Sequence, residues 1–443
     1  MKKYINMAIV ISILFWGFVM DFEKSLNNIW ELYGLKENPF STSPLLVKGG
    51  TIPIDSFVGR IEELKRISRL FGSRGGSRIL VYGDVGLGKT TFVNVARYNA
   101  TKAGFFTPFK EIATQSDWDA NSFILNTLSA IYSSIKIVEK KIIDDKIFKK
   151  LESVVDFGVI DKSFGIDVAG FGGNYSQTIR NPQVISQYTL QTFFQELVDE
   201  IAMKTEKDII IHYNNLELIP EKKLRTIFEN LRDFFQTKNV HFIFVGNLTT
   251  HSIIQSMPRL SSIMSDTPIV INELSLKEIE EIISARLKYL RIKDLTYIVP
   301  YKKEVLKVLY DLYGGNIRNI LNSLSTAVGE ITTEKPIIIN ENDLAIILNS
   351  ILEKRYLADI QPKAKVVLLE AVKHPEVTNK TLSKNTKIAR SNVSTYVSQL
   401  QSSGCIYLRR KDGKDKYWAV EPRVKWALLK PKQNDLNQKS LIS

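Results

Sequence analysis

The chain has 443 residues but a single cysteine, Cys405, and only four histidines. One cysteine cannot form an intrachain disulfide, so a reducing compartment is expected. The histidines lack the spacing of metal ligands, and a structural metal site is therefore not expected. Long apolar runs are also scarce, because only one uncharged stretch approaches the length of a membrane-spanning helix. The composition is that of an ordinary globular protein of about two to three domains.

The one long apolar stretch covers residues 4–20 and contains 17 residues without charge. This is the short limit of the roughly 17 to 25 residues that span a bilayer. The stretch has the basic start of a signal peptide but no small-x-small cleavage site before Asp21. Residues 1–20 are either an amino-terminal membrane anchor with a cytoplasmic body, or they precede a natural start at Met20. The soluble character of the sequence from Met20 favours the second interpretation and a cytoplasmic location.

The clearest motif reads GDVGLGKT at residues 83–90, directly after an apolar run, and fits G-x-x-x-x-G-K-[ST]. Glycines at these places let successive N–H groups converge on phosphate oxygens at the start of the next helix. Lys89 is expected to reach the β and γ phosphates of ATP, and Thr90 is expected to bind Mg²⁺. The predicted nucleotide-binding residues of this loop are Gly83, Asp84, Val85, Gly86, Leu87, Gly88, Lys89, Thr90 and Thr91.

A family resemblance begins ahead of this loop. Residues 57–64 read FVGRIEEL, and Leu64, Ile67 and Leu70 fall on one helical face. This segment resembles the adenine-side box of AAA+ ATPases, and YGLKENPF at residues 33–40 resembles bacterial AAA+ proteins of secretion and transposition systems. The resemblance implies an α/β fold, a P-loop AAA+ three-layer sandwich with a parallel sheet and a helical lid subdomain. The residues it places beside the base are Val58, Gly59 and Arg60.

The chain departs from this family after its second apolar strand. Asn214 and Asn215 stand where the family has an acidic pair. Orienting magnesium and polarising water both need negative charge, which an amide lacks. Asn214 can still order a magnesium-bound water through its oxygen, and Glu217 is a candidate substitute carboxylate. The sequence therefore predicts ATP binding with slow hydrolysis, and it leaves open whether the chain is an ATP hydrolase.

Three more polar residues match places where the family contacts the γ-phosphate. Asn247 follows an apolar strand and resembles the first sensor, although such an asparagine is often only a turn residue. Arg259 stands in the place of an arginine finger, which implies a homo-oligomer with nucleotide-bridged interfaces; its alternative is a surface cation. Arg318 follows two glycines and resembles the second sensor. Ser275 and Glu278 predict a capping box at the start of the helical subdomain.

These motifs divide the chain. The nucleotide-binding domain is predicted at residues 21–272, with an insertion near 138–188, and the helical lid at residues 273–355. A charged stretch followed by a glycine-bearing one predicts that the insertion is helical and then a hairpin. It is either a partner-contacting loop or a disordered spacer. Residues 431–443 are expected to form a tail.

The last part of the chain is strongly basic. Residues 361–443 contain 17 Lys or Arg against 6 Asp or Glu, which is most of the net charge of +13. A basic region on a nearly neutral body indicates a polyanionic partner, most simply nucleic acid. The pattern predicts three short helices, of which the third buries a stripe made of Val393, Tyr396, Val397 and Leu400. Two strands joined through an Asp-Gly turn follow, which is a hairpin signal.

Three helices and a basic hairpin resemble a winged helix-turn-helix domain over residues 360–430. Polar side chains of the third helix are expected to reach base edges, while cations meet phosphates. Many winged helices bind protein instead, and this alternative stays open. Cys405 is expected to be a packed core residue. The predicted nucleic-acid contacts are Lys387, Arg390, Asn392, Ser394, Thr395, Gln399, Arg409, Arg410, Lys411 and Lys414.

An AAA+ module followed by a winged helix resembles the origin-recognition and initiator group. The resemblance implies an ATP-regulated protein whose partner is duplex DNA and whose nucleotide acts mainly as a switch. Two alternatives remain: a signalling or defence-type ATPase whose terminal domain binds a protein partner, and an active motor. The DNA site, the oligomeric state and the cellular process stay undetermined.

Overall fold

The computed structural model divides into two compact units, Thr42–Tyr289 and a second unit that joins Met1–Ser41 to Leu290–Ser443. The predictions made for residues 1–20 and 431–443, for the glycine-bearing part of the insertion, and for the side chains of Lys411 and Lys414 lie outside the described residues. The structure describes residues 28–73, 75–137, 142–159, 186–265, 267–352, 354, 356, 360–412 and 415–429.

A five-stranded parallel sheet is the centre of the first unit, as the sequence predicts. Its strands lie in the spatial order β2-β3-β4-β1-β5, so β1 lies between β4 and β5. All residues of β3 and β4 are buried, as expected for central strands covered on both faces. The strands are β1 (Arg78–Tyr82), β2 (Ile112–Ala113), β3 (Ile209–Asn214), β4 (Val240–Gly246) and β5 (Ile269–Val270).

Successive side chains of a strand point to opposite faces, so each strand supplies two cores. Ile209 and Ile211 belong to the larger core, while Ile210 belongs to the core on the other face. Helices α1 and α2 cover the smaller core, and α3 to α8 cover the larger one. The helices are α1 (Ile61–Phe71), α2 (Lys89–Lys102), α3 (Ala120–Ile135), α4 (Asp145–Val159), α5 (Gln187–Thr205), α6 (Glu221–Asn230), α7 (Leu248–Gln255), α8 (Pro258–Ser261) and α9 (Leu276–Leu290).

The described part of the predicted insertion is helical. The second part of its charged stretch lies in α4 (Asp145–Val159), and Leu151 and Val155 are buried in the larger core together with residues of α3 and α5. Burial of these apolar side chains stabilises the fold by roughly 1.5–3 kcal/mol each. Residues 145–155 are therefore a structural part of the domain rather than a spacer.

The described residues of the second unit form helices and a hairpin. Residues 28–41 belong to it, since the Tyr33 hydroxyl lies 2.6 Å from Thr332 Oγ1 and donates to the Ile337 carbonyl at 2.9 Å. The elements are α10 (Lys303–Tyr313), α11 (Ile317–Ile331), α12 (Glu341–Leu352), α13 (Pro362–Val372), α14 (Asn379–Thr386), α15 (Arg390–Ser402), β6 (Ile406–Asp412), β7 (Asp415–Val420) and α16 (Pro422–Leu429).

The terminal region has the elements that the sequence predicts, namely three helices followed by an antiparallel hairpin. Val393, Val397 and Leu400 of α15 are buried and Tyr396 is half-buried, which confirms the predicted apolar stripe. Cys405 is fully buried just before β6, as expected, and burial raises the pKa of its thiol. A mostly neutral, packed thiol of this kind is structural rather than reactive.

Candidate nucleotide-binding site

The loop between β1 and α2 needs glycine for steric reasons at two places. A Cβ on Gly83 would lie 2.3 Å from the Ile271 carbonyl oxygen, so no larger residue fits beside the chain that directly follows β5. Gly88 has φ 87° and precedes the first residue of α2, a left-handed conformation that favours glycine. The loop therefore has the close approach and the sharp entry into a helix that a phosphate cradle requires.

Lys89 is the first residue of α2, and its side chain turns into the loop. Its Nζ donates hydrogen bonds to the carbonyl oxygens of Gly83 and Asp84, both at 2.9 Å, and the residue is buried. The Lys89 ammonium group therefore lies inside the loop, where backbone N–H groups and the lysine could bind phosphate oxygens together. The residues present thus fit the phosphates of a nucleotide.

Thr90 and Asn214, the two residues predicted to bind magnesium, contact each other. Thr90 Oγ1 donates to Asn214 Oδ1 at 3.2 Å, and Asn214 is buried at the end of β3. The carbonyl oxygens of Asn214 and Asn215 both accept a hydrogen bond from Thr114 Oγ1, at 3.0 and 2.9 Å. Hydroxyl and amide oxygens are hard ligands that fit Mg²⁺, directly or through its waters. When bound, Mg²⁺ would neutralise phosphate charge, and Thr90 and Asn214 would hold it.

Glu217 lies in the one-turn helix Leu216–Leu218 that follows β3 and Asn215. Its Oε2 atom is buried and has no hydrogen-bond partner in the part of the chain that the structure describes. A buried carboxylate oxygen without a partner is costly, and native proteins keep few of them outside functional sites. The carboxylate that the sequence proposes as a substitute for the missing acidic pair thus retains an unused acceptor.

Asn247 is the N-cap of α7. Its Oδ1 accepts hydrogen bonds from the Thr250 backbone N–H at 3.0 Å and from Thr250 Oγ1 at 3.3 Å. The residue follows β4, whose Gly246 is in register with Tyr82, so it lies at the same sheet edge as the phosphate loop. Its oxygen serves the turn function that the sequence left as the alternative, and its role as a sensor stays a prediction.

Arg60 contacts the phosphate loop itself. Its Nη2 donates to the Leu87 carbonyl at 3.0 Å and to the Asn272 carbonyl at 2.8 Å. Burial lowers the pKa of the guanidinium, while the charges of Glu63 and Glu278 oppose that shift. Val58 and Gly59 precede it, half-buried, and their expected position beside a base stays a prediction. Arg60 joins the end of the loop to the chain after β5.

The predicted capping box at the start of α9 is confirmed. Ser275 N and Oγ donate to Glu278 Oε2 at 2.8 and 2.7 Å, and Glu278 N donates back to Ser275 Oγ at 3.3 Å. These bonds hold the pKa of the Glu278 carboxyl below its usual value. The charged carboxylate is therefore fixed near Arg60, where it supports the guanidinium that contacts the loop.

A buried arginine anchors α2 from the other side. Arg97 is fully buried, and it donates from Nε to Thr107 Oγ1 at 2.9 Å and from Nη1 to Asn94 Oδ1 at 2.9 Å. A further bond goes to the Pro108 carbonyl. Burial lowers the pKa of Arg97 to about 10, with Glu111 opposing, so the group stays charged at neutral pH. Periodicity offers no signal for a buried arginine, and the sequence did not reveal this anchor.

The two arginines that are predicted to contact the γ-phosphate, Arg259 and Arg318, belong to different units. Arg259 is exposed in the short helix α8 of the first unit. Arg318 is exposed near the start of α11 in the second unit, where Gly314 ends α10 and Asn316 caps α11. The glycine-mediated break between helices is as predicted. The catalytic roles of both arginines stay predictions.

The predicted nucleic-acid contacts lie either on α15 and the residues just before it, or on the hairpin. Lys387, in a left-handed conformation at φ 58°, ends α14, and Gln399 of α15 is half-buried. Arg409 and Arg410 of β6 instead reach Glu376, a partner that sequence spacing did not reveal. The exposed residues of α15 among these predictions are Arg390, Asn392, Ser394 and Thr395.

Replacing Arg60 with alanine is expected to weaken ATP binding by about fivefold. The reason is that the Leu87 carbonyl loses a charged donor, so the loop samples conformations that do not bind; one such hydrogen bond is worth on the order of 1 kcal/mol. Titration calorimetry with ATP measures the change. Arg69→Ala changes an exposed arginine of α1, the helix that directly follows Arg60, and is the control; equal affinities of the two variants would contradict a role for Arg60 in the loop.

The fold and the site define a P-loop NTPase domain with a parallel sheet of five strands. Residues 69–267, which include the phosphate loop, match the model of the KAP family P-loop domain. A comparison with curated proteins returned no match.

Solved structures with similar folds include three origin-recognition proteins. The Aeropyrum pernix ORC1 protein in complex with DNA is 16% identical, with 85% of this chain and 93% of that chain covered and a TM-score of 0.44. The Aeropyrum pernix ORC2 protein (ADPNP-ADP complexes) is 13% identical, with 89% and 96% covered and a TM-score of 0.47. Drosophila ORC bound to DNA is 11% identical, with 91% and 93% covered and a TM-score of 0.43.

Among the residues with described coordinates, no helix combines the length and the apolar character needed to cross a membrane. The apolar run at residues 4–20 is outside that set.

Proposed function

We propose that the chain is an ATP-binding AAA+ protein whose nucleotide state regulates duplex DNA binding through a winged helix at residues 360–430. Residues 21–272 act as the nucleotide receptor and residues 273–355 as its lid. The observation that carries the proposal is the contact of Thr90 with Asn214, 3.2 Å apart. An amide at this place retains the ligand geometry but lacks the negative charge that fast hydrolysis needs.

Three features of the phosphate loop and its surroundings support nucleotide binding. The loop glycines, the inward Lys89 and the paired oxygens of Thr90 and Asn214 together fit a triphosphate with Mg²⁺. Glu217 is the carboxylate available to polarise water, and its buried free acceptor supports that role. Its placement after a turn rather than at the strand end is the reason to expect slow turnover. ATP then persists long enough to act as a signal.

The terminal domain offers a cationic surface on its second and third helices. Four cations are exposed here: Lys380 and Lys384 of α14, Lys387 directly after it, and Arg390 at the start of α15. None of the four has an acidic partner within the described ranges. Beside them, α15 exposes hydroxyl and amide side chains that can donate to or accept from base edges. Cations flanking a polar helix are the arrangement that positions a recognition helix on duplex DNA.

A second copy of the chain is the partner we propose for the first unit. Val85 of the phosphate loop is 59% exposed, Leu218 after β3 is 55% exposed, and Leu248 at the start of α7 is 60% exposed. All three follow strands at the carboxyl edge of the parallel sheet, around the nucleotide site. Exposed apolar side chains mark interaction surfaces when they gather, and the exposed Arg259 would supply a cation to the neighbouring nucleotide.

The alternative is a signalling or defence-type ATPase whose terminal domain binds protein. The observation that favours it is the ion pairing of Arg409 and Arg410 with Glu376, which removes two cations from immediate contact with phosphate. A pull-down that survives nuclease treatment, together with no affinity for duplex DNA, would support this alternative.

Binding of a fluorescent duplex, measured with and without ATP over a range of salt concentrations, tests the main proposal. We expect tighter binding in one nucleotide state and a linear fall of log K with log salt. Lys387→Ala is expected to reduce the magnitude of the slope by about 0.9, because one phosphate contact is lost. Lys307→Ala, an exposed lysine of α10, should leave it unchanged. An affinity for duplex DNA that changes with neither the nucleotide nor the salt concentration would refute the proposal.

A further inference from the structure

The two arginines of the hairpin are held by one carboxylate. Arg410 Nε lies 3.1 Å from Glu376 Oε1 and 3.3 Å from Oε2, and its Nη2 also donates to Oε1. Arg409 Nε lies 3.9 Å from Glu376 Oε2, while its Nη1 donates to the Pro375 carbonyl at 3.3 Å. The Arg410 bonds keep the pKa of the Glu376 carboxyl below its usual value, so it is charged at neutral pH.

The backbone builds this arrangement. Neighbouring residues of a regular strand point to opposite faces. In β6, however, Leu408 pairs with Trp418 and Arg410 pairs with Tyr417, so the register shifts at Arg409. A bulge of this kind re-aims side chains, and both arginines reach the same acid.

Glu376 itself is fixed beside the hairpin. The next residue, Val377, exchanges two backbone hydrogen bonds with Trp418 of β7, both 2.8 Å long. The Arg410 guanidinium also lies 3.6 Å from the centre of the Tyr417 ring. The backbone next to Glu376 is therefore hydrogen-bonded to the hairpin, which positions the carboxylate beside Arg409 and Arg410.

A carboxylate and a phosphate compete for the same donors. The planar guanidinium binds either anion through two parallel N–H groups, and Glu376 occupies the Nε and Nη2 edge of Arg410. A phosphate that approaches must displace Glu376 or accept its repulsion. Arg409 and Arg410 remain 52% and 47% exposed, so a polyanion can reach them once the acid yields.

We propose that Glu376 is an intramolecular competitor that lowers the affinity of the hairpin arginines for the DNA backbone. The inference rests on the proposed DNA-binding function and adds a regulatory contact to it. The acid limits nonspecific binding, because only a duplex held by α14 and α15 presents its phosphates long enough to displace it. Binding then exchanges one set of charge-assisted hydrogen bonds for another.

The test uses the full chain and a 30-base-pair duplex of arbitrary sequence, with anisotropy measured across a salt series. Glu376→Gln retains the shape of the side chain but removes its charge. We expect about fivefold tighter binding and a slope of log K against log salt that is steeper by up to ~1.8, since two arginines become available at ~0.9 each. Adding Arg410→Gln to Glu376→Gln should remove most of this gain.

The control is Glu330→Gln, which removes the same charge from an exposed position of α11 in the same unit. Equal affinities and slopes for Glu376→Gln and Glu330→Gln would overturn the proposal while leaving DNA binding by the natural chain intact. If neither the natural chain nor Glu376→Gln binds the duplex at any salt concentration, the proposed function and this inference both fail. Binding by Glu376→Gln alone supports the inference and shows that the acid is a full block. Thermal melting of each variant confirms folding.

Discussion

Lys89→Ala is expected to weaken ATP binding by about 100-fold. Lys89 is buried in the phosphate loop with its Nζ on the Gly83 and Asp84 carbonyls, and no other cation of the described loop residues 83–91 can replace it. Losing a charge-assisted contact to phosphate costs about 1.5–3 kcal/mol, and about 2.8 kcal/mol corresponds to 100-fold. Titration calorimetry with a nonhydrolysable ATP analogue measures the loss.

Lys102→Ala is the matched control for this substitution. Lys102 is the last residue of the same helix, is exposed, and pairs with Asp55 at 3.5 Å rather than with the loop. An exposed pair of this kind contributes about 1 kcal/mol or less to stability, and ATP affinity should be unchanged. If Lys89→Ala bound ATP as well as Lys102→Ala does, residues 83–90 would not be a nucleotide site.

Asn214→Asp is expected to raise Mg²⁺-dependent ATP hydrolysis by about tenfold or more. Aspartate has the size of asparagine and can still accept the hydrogen bond of Thr90 Oγ1, now 3.2 Å from Asn214 Oδ1. The added negative charge faces a buried, weakly screened site, where it strengthens the hold on a divalent cation. Phosphate release, measured over a Mg²⁺ series, reports both turnover and the Mg²⁺ concentration at half-maximal rate.

The control for Asn214→Asp is Asn99→Asp, which adds a charge at an exposed position of α2 and should leave turnover unchanged.

The same assay decides what Glu217 does. Glu217→Gln in the Asn214→Asp background should remove most of the gained activity, because general-base catalysis contributes about 100-fold or more. Turnover that survives Glu217→Gln would show that another group activates water. No gain from Asn214→Asp would mean that the amide is not what limits hydrolysis.

Much of the fold follows from local patterns. The strand before the phosphate loop, the run that becomes β3 and the run that becomes β4 are short, continuous apolar segments, which predict central strands of a parallel sheet. The stripe of α15 and the Ser275–Glu278 capping box depend on spacing within one helix, and the structure confirms both. Such features need only neighbouring residues, so the sequence reports them directly.

Contacts between distant segments were not predictable in the same way. Thr114 holds the carbonyls of Asn214 and Asn215 across 100 positions of sequence, and Arg60 reaches Asn272 across 212. From sequence alone, Arg97 looks like an exposed residue of a helix; only the packing of α2 against the sheet shows that it is buried. Long-range partners leave no periodic signal in a single sequence, because the fold alone brings them together.

The sequence by itself determined the phosphate loop, the order of strands and helices along the chain and the basic terminal region, because motif spacing and charge are local properties. The tertiary structure decided how these parts are used. In the described structure, the Asn214 side-chain oxygen accepts a hydrogen bond from Thr90, and Oε2 of Glu217 is buried without a partner. Arg60 donates to the Leu87 carbonyl of the phosphate loop. The tertiary structure also paired the hairpin arginines with Glu376. Each of these outcomes depends on which side chain meets which across the folded chain, and burial and charge then set its chemistry.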